Sequence, residues 1–259
     1  MTFSIVAFCP RSGEVGVGVA TCHLCVGGMV PHVLGGVGAV ASQAESNPMH
    51  GVRGLTLMGA PLKLPASEAI ALMRHADEDG VAGTESRQVH CVDTIGGADG
   101  WTGTKCQPWA GHMVFPASHD AAASTPAGST GSDGSRAVDG CGSVTATPRD
   151  ASIAFSVAGN MLAGPQVLDE MAKAFRANHA LPLAERLLCS LEAGQAAGGD
   201  KRGRMSAGIK VAARGQPYCY VDLRVDHHSA PLEELRRLLT IRRQPWAADF
   251  YDSRPRARL

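Results

Sequence analysis

Thr2 stands directly behind Met1, at the head of the strand-like run Phe3-Ser4-Ile5-Val6-Ala7. Aminopeptidases trim an initiator methionine when a small side chain follows it, and a threonine freed in this way is nucleophile and base in one residue. Its hydroxyl can attack a carbonyl while its own α-amine, with an ordinary pKa of about 7.7–8.0, takes the proton near neutral pH. The plain alternative is a β-branched residue opening a strand. A second centre is Gly198-Gly199-Asp200-Lys201-Arg202-Gly203-Arg204. Its glycines let backbone N–H groups turn toward an anion, and Arg202 and Arg204 can fork onto a substrate carboxylate. Asp200 can orient the Thr2 ammonium or a basic neighbour. Read in isolation, the same segment is a solvated loop after a helix.

Other polar residues sit among small apolar ones, where solvation does not explain them. Gln43, Glu45 and Asn47 close a run of small residues from which side chains can point into a cleft. Asn160, between Gly159 and Met161-Leu162-Ala163-Gly164, can offer an amide donor to an oxyanion. His32 and His112 have the right chemistry to titrate near neutrality. Each also reads as a cap, turn or core residue, and for Glu45 and His112 that reading is preferred. Cys22-His23-Leu24-Cys25 has zinc or redox spacing, but no second Cys-x-x-Cys or His-x-x-x-His follows it. The pair therefore reads as incidental small thiols, and no metal is expected. His227-His228 beside Asp226 reads as a polar strand end.

These residues need elements to hold them. A length of 259 residues suits one large domain, read here as 1–259. Lys plus Arg equals Asp plus Glu at 24 each, so no global field draws nucleic acid or an anionic membrane. No signal-like start and no run of ~18 apolar residues occurs, which predicts a cytoplasmic protein whose cysteines stay reduced. Strands are predicted at 2–9 and 15–21, joined across Pro10-Arg11-Ser12-Gly13, and at 36–43. Helices follow at 51–59 and 66–75, then a hairpin at 87–95 and 99–104. A strand at 154–160, helices at 164–178 and 182–195, strands at 206–213 and 218–224 and a helix at 231–240 complete the pattern. Ala, Ser, Thr, Gly and Asp dominate 116–150, which predicts a surface insertion, and a basic tail covers 252–259. Strands at both ends of a helical middle fit an α+β fold of two sheets between helix layers.

Several blocks, in this order, resemble the DUF1028 family, a domain of unknown function grouped with the N-terminal nucleophile (Ntn) hydrolase-like fold. They include Met1 to Ala7, Val30-Pro31-His32, Gly36 to Ala44 with Asn47-Pro48, Pro108-Trp109-Ala110-Gly111-His112, Gly159 to Gly164, Glu192 to Arg204, and Asp222 to Asp226. The resemblance implies a four-layer αββα sandwich with Thr2 at the end of a central strand. It supplies no substrate; joined to the chemistry of Thr2, it leads to the expectation of an Ntn-type amidohydrolase acting on a small amide, lactam or short peptide-like substrate, with no cofactor and as a homo-oligomer. Thr2, Asp200 and Asn160 are the expected catalytic residues, and His32, Gln43, Asn47, Arg202 and Arg204 the expected substrate contacts. Met205, Ala158 and His227 depart from the usual family residues. A catalytically silent ligand-binding or structural protein on the same fold is the alternative.

Overall fold

In a computed structural model, residues 2–77, 80–117, 153–216 and 218–252 are described. The chain runs through β1 (Thr2–Cys9), β2 (Glu14–Thr21), α1 (Val26–Met29), β3 (Pro31–Leu34), β4 (Gly38–Ala44), α2 (Pro48–Met58), α3 (Ala66–His75) and α4 (Gly80–Thr84). It continues through β5 (Arg87–Asp93), β6 (Ala98–Thr102), β7 (Gly111–Phe115), β8 (Ala154–Asn160), α5 (Gln166–Ala177), α6 (Leu183–Ala196), β9 (Ser206–Ala213), β10 (Val221–Val225), α7 (Pro231–Arg242) and α8 (Pro245–Asp252). One antiparallel sheet has the order β10-β9-β2-β1-β8-β7 and the other the order β3-β4-β5-β6. The fold is thus mixed α+β with two antiparallel sheets. Most of the 116–150 insertion and the 252–259 tail lie outside the described residues.

Alternation along β1 explains how the sheets and helices meet. Phe3, Ile5 and Ala7 join an apolar cluster with Leu168, Met171 and Phe175 of α5, Leu187, Leu188 and Leu191 of α6, and Leu235 and Leu239 of α7. Val6 and Phe8, on the opposite face, join Val15 and Val17 of β2, Ala39 and Ala41 of β4, and Val92 of β5. Val40, Val89 and Cys91 then meet Met58 of α2 and Ile70 and Met73 of α3. Helix α6 lies so close to the sheet that a Cβ on Gly16 would stand 2.9 Å from Leu187 Cδ1 and from the Lys210 carbonyl oxygen, too close to be tolerated.

Local chemistry corrects three boundaries. Helix α2 starts at Pro48, not 51, because the Asn47 side chain accepts from the Met49 N–H at 3.0 Å and proline suits the first helical turn. The strand predicted at 36–43 is β4 alone, and β3 precedes it as a separate edge strand. Helix α8 extends the C-terminal side beyond the helix predicted at 231–240. Among the described residues, no helix is long and apolar enough to cross a membrane.

Candidate functional site

Thr2 opens β1 between two neighbours in register, Thr21 on β2 and Asn160 on β8. Its hydroxyl lies 3.3 Å from that of Thr21, and Thr2, Thr21 and Asn160 are all buried. Strand alternation puts Thr2 and Ser4 on the same face as Val6 and Phe8, the face turned toward the four-stranded sheet. Here polar residues replace the apolar ones.

From Ser4 a chain of hydrogen bonds crosses between the sheets. Ser4 Oγ lies 2.7 Å from Gln43 Oε1 and 2.8 Å from His90 Nε2. His90 Nδ1 reaches Ser156 Oγ at 3.1 Å. Gln43 Nε2 donates to Gln88 Oε1 at 2.8 Å, and Asn160 Nδ2 donates to the same oxygen at 3.0 Å. Gln88 Nε2 in turn faces Thr102 Oγ1, Gly111 O and Gly159 O at 2.8, 3.0 and 2.9 Å. Thr102 Oγ1 meets His112 Nδ1 at 2.9 Å. Burial, and secondarily the nearby His112, push the His90 imidazole down to about 3, and burial lowers His112 as well. Two bonded, neutral histidines thus sit within a network of amides and hydroxyls.

Asp200 stands at the border of this group. Its Oδ2 accepts from the Cys22 N–H at 2.9 Å, one residue past Thr21, and its Oδ1 accepts from the Arg202 N–H at 2.8 Å. Arg202 Nη2 adds a contact of 3.4 Å to the same carboxylate. One backbone N–H of the Gly-rich loop, that of Arg202, therefore meets an anion carried by the loop itself. Arg202 stays 39% exposed, whereas Arg204 pairs with Glu233 of α7 at 3.2 Å.

The residues expected from the sequence thus separate. Thr2, Asn160 and Gln43 come together, with Asp200 and Arg202 beside them. His32 faces the other way: it is paired with Val40 and packs under Gly51 of α2, where a Cβ would stand 2.0 Å from its Cγ. Burial lowers its pKa. Asn47 caps α2 and receives no place in the Thr2 group. On that helix-covered side lies a separate buried cluster, with Ser42 Oγ 3.3 Å from His50 Nδ1 and His50 Nε2 2.9 Å from Asp77 Oδ2. Sequence reading missed Ser4, Thr21, Gln88, His90 and Ser156. The signal was polar residues two apart in buried strands, Thr2 with Ser4 and Gln88 with His90, all on one face. Among the described residues, no group of three or more His, Cys, Asp or Glu side chains is placed to hold a metal ion.

These features define a mixed α+β protein with two antiparallel sheets and a hydrogen-bonded polar interior at one end of the space between them. The chain belongs to the DUF1028 family: the profile of that family of unknown function matches residues 2–124 and 130–235. It is similar to the crystal structure of the DUF1028 protein SPO2555 from Silicibacter pomeroyi, with 27% identity and a TM-score of 0.75 over 98% of this chain and 92% of that one. No curated protein matches it.

Proposed function

We propose that this protein is an Ntn-type amidohydrolase whose nucleophile is Thr2 after removal of Met1. The reading takes the three apolar clusters as the interfaces of a four-layer αββα sandwich. The observation that carries it is the register that sets Thr2 between Thr21 and Asn160 at the end of a central strand. Thr2 Oγ1 adds to the substrate carbonyl carbon and passes its proton to the Thr2 α-amine. The carbonyl oxygen, now negative, meets an Asn160 Nδ2 proton. The carbon–nitrogen bond then breaks, and the α-ammonium returns the proton to the leaving amine, which leaves an ester on Thr2. Water cleaves the ester, releasing the acid and restoring the hydroxyl. Asp200 braces the peptide behind Thr21, and the half-exposed Arg202 meets a carboxylate on a small amide, lactam or short peptide.

The test is turnover of a panel of chromogenic acyl anilides and lactams, together with the intact mass of the native protein. Active protein lacks Met1, Thr2→Ala loses on the order of 10⁴-fold or more in kcat, and Thr2→Ser retains part of the activity. Equal turnover by wild type and Thr2→Ala, or full activity with Met1 in place, refutes the assignment.

A further inference from the structure

Gln88, fully buried on β5, touches β6, β7 and β8 through the same nitrogen. Two of its partners, Gly111 O and Gly159 O, are main-chain carbonyl oxygens, which can only accept. The Gln88 NH₂ must therefore face them, and Oε1 is forced to the other side as an acceptor. There it is met by Gln43 Nε2 and Asn160 Nδ2, so both of those amides must also turn an NH₂ toward Gln88. The atom of Gln43 beside Ser4 is then its carbonyl oxygen, and the Ser4 hydroxyl donates to it. A hydroxyl has one proton, so the second contact of Ser4 Oγ must be a donor, and that contact is His90 Nε2. A neutral imidazole carries one N–H, which leaves Nδ1 bare to accept from Ser156.

We infer that Gln88 is a positioning residue: through it, the carbonyls of Gly111 and Gly159 fix the direction of each hydrogen bond from Asn160 to Ser156 and hold His90 as the Nε2–H tautomer. Ser4 and His90 stand 2.8 Å apart like a nucleophile and its base. The direction of the chain forbids that role, because His90 donates to Ser4 and the Ser4 proton is committed to Gln43. One use of the network rests on the hydrolase reading: Asn160 gives one Nδ2 proton to Gln88 and keeps the other for an oxyanion.

Long-range ¹H–¹⁵N spectra of imidazole-labelled protein, assigned with His90→Gln, test the inference. The expected result is a protonated Nε2 and a bare, downfield Nδ1 throughout about pH 5 to 8. The Nδ1–H tautomer, or an imidazolium in that range, overturns it. Gln88→Met keeps the volume but removes the amide, so His90 should then show both tautomers, and kcat should fall on the order of 10²-fold with KM little changed. A folded Gln88→Met with the tautomer intact also overturns the inference, and if that variant does not fold, the wild-type spectrum decides alone. Hydrolysis of the anilide probes is read separately. A correct tautomer without turnover refutes the hydrolase reading only, and turnover with the wrong tautomer refutes the positioning role only.

Discussion

The two ends of the space between the sheets are built from the same strands by opposite means. At one end β1, β2, β4, β5 and β8 supply Val6, Phe8, Val15, Val17, Ala39, Val92 and Ala154. At the other they supply Thr2, Ser4, Thr21, Gln43, Gln88, His90, Ser156 and Asn160. The apolar end is held by area removed from water, which has no direction and tolerates small shifts. The polar end is held by pairing, and each donor there has few alternatives once water is gone. A buried polar group left unmet costs about 1–3 kcal/mol, so errors propagate from one amide to the next. A molecule that needed only stability would have repeated the first solution at both ends. Keeping the second concentrates the need for precision where Thr2 lies.

The largest expected effect breaks the apolar end alone. Phe8→Ala should cost about 3–5 kcal/mol in urea unfolding while the kcat of the folded fraction stays unchanged. A comparable loss of kcat would mean that the two ends are not independent. Ser4→Ala comes next, because it strands both Gln43 Oε1 and the His90 Nε2–H; roughly 2–3 kcal/mol should be lost, while turnover persists.

Acid should act mainly on the polar end. The folded His90 titrates at about 3, below its ordinary 6.5, so as pH falls the unfolded chain takes up the proton first. The stabilisation is full above pH 6.5 and is lost as the pH drops toward 3. The slope from this one residue is about 1.4 kcal/mol per pH unit. His32, His50 and His112 are lowered as well and add to the loss in the same direction. Urea midpoints at about pH 7 and pH 5 should converge in His90→Gln relative to wild type, and parallel behaviour of the two proteins would remove His90 from the account.

The smallest effect lies just outside the network. Ala44 and Met161, each directly following a network residue, hold left-handed backbone at φ 66° and 55°. Ala44→Gly relieves about 1 kcal/mol of steric cost but loses nearly as much to chain entropy, so the thermal midpoint should barely move. A large drop would reveal packing by the Ala44 methyl.

Much of the frame was legible in the sequence because it rests on local signals. The turn at Pro10 to Gly13 set the β1–β2 hairpin, and the leucine spacing in 182–195 marked α6. Asn47 reads as a cleft residue because of the small apolar residues before it, whereas in the structure it caps α2 ahead of Pro48, a helix-start signal that is local to the pair. Thr2, Asn160 and Gln43 were legible as types, but their partners were not. Ser4 meets Gln43 and His90 across 39 and 86 residues, and Gln88 meets Gly159 across 71. Such meetings depend on the stacking of two sheets, and no periodicity within one strand encodes it. The place of His32 is illegible for a related reason: nothing in the sequence marks β3 as a separate strand, so the face that His32 occupies cannot be assigned from it.

The central place of β1 also sets an order in time. One edge of this strand meets β2 at once, whereas the other waits for β8, with Thr2 closing on Asn160. At synthesis rates of about 5–20 residues per second, that second edge stands open on the ribosome for on the order of 10 s. Through that interval Phe3, Ile5 and Ala7 also lack their cover, because α5, α6 and α7 follow β8 in the chain. The polar end, which needs Asn160, therefore cannot close until β8 has been made.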